Sequence, residues 1–140
     1  MVFSSLMKNV NGGTTGSDFD AHFNKHLIFV LDWEFCHLSS IVIDLGTMFA
    51  ELYILYLFGN SSSVPLILDS FIEAYGLIET QDALDTMMYC GVHLIIWPCR
   101  VEWSAHPKLE ECLRFGCDIL NNAYNGNAEW FKGGLFQKLF

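Results

Sequence analysis

Ile43-Asp44-Leu45-Gly46-Thr47-Met48-Phe49-Ala50-Glu51-Leu52-Tyr53 is where the periodicity of this chain changes, and it follows Leu27-Ile28-Phe29-Val30-Leu31-Asp32-Trp33-Glu34. From Leu27 to Leu31 β-branched and aromatic residues run without polar interruption, the pattern of a buried strand. From Ile43 onward, Leu45, Met48, Phe49, Leu52, Leu55 and Tyr56 fall at helical spacing. A strand ending in a carboxylate therefore gives way to a long apolar helix. Asp32 sits where the backbone leaves the core, half desolvated and facing a cleft. That position suits a metal ligand, and it also suits a plain strand-end carboxylate.

Upstream, Met1 to Val10 is short and mixed, and Asn11-Gly12-Gly13-Thr14-Thr15-Gly16-Ser17 is a turn and loop. With Leu27 to Leu31 this gives two antiparallel strands joined by a long loop, a β-hairpin within residues 1–35. Downstream, Gly59-Asn60-Ser61 stops the first helix and Pro65 fits the first turn of the second, where its missing N–H would be unpaired anyway. That helix carries Leu66, Leu68, Phe71, Ile72 and Tyr75 and closes at Gly76. Thr80 reads as the N-cap of a third helix through Met87, Val92 and Ile96, and Pro98 predicts a break near Trp97. A fourth helix is expected from Pro107 to Asn125-Gly126, and a short fifth one around Trp130 and Phe131. The fold class is mainly α with a short N-terminal hairpin, a single domain over 1–140 with a helical subdomain over 41–140.

A chain of 140 residues buries roughly 65–70% of its unfolded surface. Its hydrophobic fraction of 52% and mean hydropathy of +0.32 are high against a usual apolar share of about 45–50%. Part of the apolar surface is therefore expected to lie against something else, or to favour self-association. Sixteen acidic against seven basic residues give a net charge of −9, which repels a nucleic-acid backbone and favours a cationic partner. Five cysteines with no Cys-x-x-Cys pair argue against a zinc ribbon or disulfide framework and for a reducing, cytoplasmic setting. No secretory signal pattern opens the chain. The apolar run from Ile41 to Phe58 carries Asp44 and Glu51, each costing about 2.5–3.5 kcal/mol at a bilayer centre, so a buried helix is expected there and not a membrane span.

Asp32-Trp33-Glu34 resembles the segment holding the metal-binding aspartate in the aminoglycoside phosphotransferase and choline kinase superfamily, at the place of the protein kinases' Asp-Phe-Gly. The stretch Ile43 to Tyr53 resembles the helix that follows it in fungal-type members. Gly91-Val92-His93-Leu94-Ile95-Ile96-Trp97 and Gly116-Cys117-Asp118-Ile119-Leu120 are more weakly similar to later helices. The resemblance runs from about Leu27 to Phe140 and implies the C-terminal lobe of a kinase-like fold. It implies ATP and Mg²⁺ as cofactors and transfer to a hydroxyl of a small molecule. Mg²⁺ is a hard ion that takes oxygen ligands and neutralises phosphate charge, so a fixed carboxylate is needed. By resemblance Asp32 is that ligand, and Asn9 resembles the terminal asparagine of the catalytic loop. Asp44 reads as structural, its side chain accepting hydrogen bonds from the helix start, as a cap, or from the neighbouring catalytic loop in support of the metal site. Glu34, on the same side of an extended backbone as Asp32, either assists the metal or pairs with a basic side chain. Trp97 and Trp103 with Glu102, beside Tyr89, could receive a cationic acceptor, or simply pack. His37, and the His22 and His26 pair in a polar loop, read as surface residues.

The family's catalytic loop, His-x-Asp-x-x-x-x-Asn, is not present: counting back from Asn9 places Ser4 at the base position and Val2 at the histidine position. There is no strand lysine before a nucleotide pocket, and Gly12-Gly13-Thr14-Thr15-Gly16-Ser17 lacks the lysine and following helix of a P-loop. The expectation is a truncated C-lobe of a phosphotransferase that keeps its magnesium aspartate but is inactive alone. The alternative is a helical interaction module or pseudokinase that binds a protein or a cationic ligand without chemistry.

Overall fold

The computed structural model describes residues 40–76, 78–100 and 102–140, which form five α-helices and two 3₁₀ turns with no strand among them. The hairpin expected within 1–35 lies outside the described residues. The helices are α1 (Ile41–Leu57), α2 (Val64–Tyr75), α3 (Thr80–Ile96), α4 (Leu109–Tyr124) and α5 (Ala128–Phe131), with 3₁₀ turns at Glu102–Ala105 and Gln137–Leu139. They belong to one compact unit, Ser39–Phe140. No described helix is long and apolar enough to cross a membrane.

α3 is the centre of this unit, flanked by α1 and α4. Two close approaches set the spacing. A Cβ on Gly46 of α1 would stand 2.6 Å from the Thr86 carbonyl oxygen and 2.7 Å from the Tyr89 Cβ on α3. On the other side, a Cβ on Gly91 of α3 would stand 2.8 Å from the Gly116 carbonyl oxygen on α4. Only residues without side chains let these backbones meet. The pairing of Gly46 with Cys90, and of Glu51 with His93 further on, shows that α1 and α3 run in the same direction. Gly91 against Leu120 and Leu94 against Cys112 show that α4 runs back. α2 makes the return between the two parallel helices.

Burial follows the helical period. α4 buries Cys112, Gly116, Ile119 and Ala123 along one stripe and turns its acids outward. α2 buries only Val64, Leu68 and Ile72, leaving Leu66 70% exposed. Phe49, Leu68, Met87, Leu94 and Ile119 are fully enclosed, and the C-terminal Phe131 and Phe136 complete the core. Phe136 returns to α1, its ring 5.8 Å from that of Phe49, while Phe140 stacks on Phe131 at 4.8 Å.

The helix ends differ in detail from the sequence reading. α1 begins at Ile41, two residues before the periodic run, since Val42 joins the buried stripe. Thr80 is the first residue of α3 and not its cap; Glu79 holds that position, with no side-chain capping bond. α4 starts at Leu109, because His106 to Lys108 form a turn in which the Lys108 amide donates to His106 Nδ1 at 3.2 Å. The stops fall as expected. α2 ends on Gly76 with φ +97°, a conformation open to glycine, and α3 ends at Ile96 before the buried Pro98.

Candidate functional site

Asn9, Asp32 and Glu34, the expected metal ligand pair and its neighbour, lie outside the described residues. Among the described residues no three histidine, cysteine or acidic side chains converge on a metal position. Asp44 is exposed in the first turn of α1, and Ser40 occupies the cap position without a side-chain capping bond. The expected cap is therefore replaced by a weaker role: Asp44 places negative charge near the positive end of the helix dipole.

Of the expected acceptor trio, the structure describes the surroundings of Trp97 and Trp103. Trp97 is half-buried at the end of α3, packed against the core and 5.7 Å from the His93 ring. Trp103 lies over Phe58, at 5.3 Å, and His106, at 5.9 Å. The two tryptophans make no ring contact with each other. Tyr89 sits exposed on α3, next to the Gly46 crossing. The Glu102 side chain lies outside the described part.

Two polar arrangements join the helices. Glu51 Oε1 lies 2.8 Å from His93 Nε2, joining α1 to α3 in a half-buried pair. At the other end of α1, Lys108 reaches back and its Nζ donates to the Leu57 carbonyl and to Asn60 Oδ1, both at 2.9 Å. A cation on the last carbonyls of a helix meets the negative end of its dipole and fixes the α1–α4 corner.

Beside that corner an open groove of about 580 Å³ runs between α1 and α4. Its floor is Tyr53 stacked on Phe115 at 4.4 Å, and its rim carries Glu110, Glu111, Arg114 and Asp118. Arg114 is held by Glu110 at 2.6 Å across one helical turn. The Tyr53 ring is largely buried, and among the described residues the buried side-chain atom without a hydrogen-bond partner is Thr86 Oγ1 on α3, not the Tyr53 hydroxyl. Burial first, then Cys112 and Glu111 nearby, pushes its phenol well above the usual range, so it stays a neutral hydroxyl. Sequence reading missed this groove because Tyr53 follows Phe49 by four residues on the buried stripe and reads as core. The acidic start of α4, Glu110-Glu111, was the available signal.

No family model matches the chain, and no solved structure matches it. The chain is 19% identical over 102 residues to 4-hydroxytryptamine kinase from Psilocybe cubensis. That similarity covers 71% of this chain but 28% of the relative, so the chain spans little more than a quarter of the protein it resembles.

Proposed function

We propose that this chain supplies the helical C-terminal lobe of a kinase-like phosphotransferase of the aminoglycoside phosphotransferase and choline kinase type, and that by itself it transfers no phosphoryl group. The observation that carries this reading is the similarity over 102 residues to a kinase named for a small hydroxylated aromatic amine. The helical architecture is in keeping with it: α1 follows the Asp32 segment in sequence, and four more helices come after it, with α3 at the centre.

Asp32, with Asn9, would hold Mg²⁺, which in such enzymes neutralises the nucleotide phosphates. Phosphoryl transfer also needs a base at the acceptor hydroxyl and a cradle for the phosphates, which act through position and charge. The base position carries Ser4, whose hydroxyl cannot take up that proton, and the chain has neither the strand lysine nor the glycine-rich loop. We place the chain in the reducing cytoplasm, where Cys99 and Cys117 can stay exposed as thiols.

The test is ATP turnover by the isolated chain with Mg²⁺ and 4-hydroxytryptamine as acceptor. We expect no phosphorylated product above a protein-free blank; robust turnover would overturn the assignment of inactivity. Titration with Mn²⁺ followed by electron paramagnetic resonance separates the metal question. Asp32→Ala should abolish binding, and unchanged binding would remove Asp32 from the site.

A further inference from the structure

α4 begins without a side-chain cap. Lys108 holds the cap position and makes no capping bond of its own, so its amide is satisfied from the turn before it. That turn is closed by a histidine. The Lys108 amide donates to His106 Nδ1 at 3.2 Å, two residues back. Asparagine and aspartate commonly close turns in this way, a side-chain oxygen accepting from the amide two residues on. Here an imidazole nitrogen takes that place, and an imidazole can gain a proton near neutral pH.

The bond fixes the state of the ring. Nδ1 accepts, so the ring is neutral and its own N–H is at Nε2. It lies half-buried and stacked on Phe58 at 4.3 Å, with Trp103 edge-on at 5.9 Å. A protonated imidazole is a donor at both nitrogens, so no orientation of the charged ring accepts from the Lys108 amide. Among the elements around it, α4 brings the Lys108 ammonium and then Glu110 and Glu111. The end of α1 brings Leu57, Phe58 and Asn60, none of which titrates, and the 3₁₀ turn brings Trp103 and Glu102. Lys108 is also the residue that ties the corner. Its Nζ holds the Leu57 carbonyl and Asn60, and its carbonyl accepts from the Cys112 amide at 3.1 Å to open α4.

From this geometry we infer that His106 is a pH-sensitive latch at the α1–α4 corner. Neutral, it holds the Lys108 amide and the corner is closed; protonated, it releases that amide and the first turn of α4 loosens. The face of Phe58 attracts a charged ring as well as a neutral one, so the ring stays stacked and the amide is what moves. The latch uses no residue assigned above to phosphoryl transfer. It therefore stands or falls separately from that reading.

The experiment is a titration of the full chain from about pH 8 to about pH 5, followed by NMR at the His106 imidazole and the Lys108 amide. The amide proton should move upfield with the same midpoint as the imidazole. Its protection from hydrogen exchange should fall about ten-fold, as one hydrogen bond is lost. His106→Asn, whose Oδ1 accepts in the same place but takes up no proton, should abolish both changes. His93→Gln, which removes the half-buried histidine paired with Glu51, should leave both in place. A Lys108 amide that does not follow the imidazole, a response that survives His106→Asn, or one that disappears in His93→Gln would overturn the assignment. The same spectra report that each variant is folded, and the wild-type titration decides by itself if one is not.

Discussion

Cys112 is a thiol with no exposed surface, its Sγ donating weakly to the Leu94 carbonyl at 3.8 Å. Burial first, then Cys99 and Glu111, pushes it from the ordinary value of 9.0 up to about 11. In the unfolded chain the same thiol ionises near 9.0, so between those values unfolding releases a proton that the folded state still holds. The stability contributed by the neutral thiol is fully present below 9.0 and is lost as the pH rises toward 11. Cys90 and Tyr53, both pushed upward chiefly by burial, act in the same direction. Urea midpoints should therefore be level from neutral pH to the ordinary thiol value and decline above it. Cys112→Ala should show a shallower decline, and an unchanged slope would show that this thiol is not the group responsible. At this scale sequence reading was least complete. Glu51 was visible as a charge inside an apolar helix, but its partner His93 lies 42 residues on, and only the parallel packing of α1 and α3 brings them together.

Among the elements, the α1–α3 crossing is decided by Gly46. Alanine is intrinsically better than glycine in a helix by about 1 kcal/mol. A methyl group at this position would meet the Thr86 carbonyl at 2.6 Å, and a backbone atom cannot move aside as a side-chain end can. The helices must separate, at a typical overpacking cost of about 1–3 kcal/mol. Gly46→Ala should therefore lower the urea midpoint despite its better propensity. Gly133→Ala, where nothing lies within 4 Å, should leave it nearly unchanged. A Gly46→Ala chain at least as stable as wild type would mean the crossing is looser than described. Element ends were legible where the residue itself forbids continuation, as at Pro98, Gly76 and Asn125-Gly126. They slipped where the choice was soft. Thr80 has the chemistry of a cap, yet the helix begins one residue earlier on the Glu79 carbonyl, which accepts from the Ala83 amide at 2.9 Å.

At the scale of the whole helical unit, the C-terminal tail closes the core. Its spacing gave no sign of this: Leu135 to Phe140 is too short for a period, and the glycines before it read as an ending. The structure turns the chain back so that Phe136, 2% exposed, packs on Phe49, and the last 3₁₀ turn lies against α2. α2 buries one narrow stripe, so it depends on this tail for cover. Lys138 also reaches Glu73 at 3.2 Å and Asp69 at 4.0 Å, but Lys138 and Glu73 are exposed, Asp69 is half-buried at the longer distance, and such pairs contribute little. Apolar burial should therefore outweigh charge in holding the tail. Phe136→Ala should cost about 3–5 kcal/mol, a large share of the roughly 5–15 kcal/mol that holds a domain together. Lys138→Ala should change stability by less than about 1 kcal/mol. Urea unfolding of the two variants side by side decides the matter: comparable losses would mean that the ion pairs hold the tail, and a negligible loss for Phe136→Ala would mean that it does not seal the core.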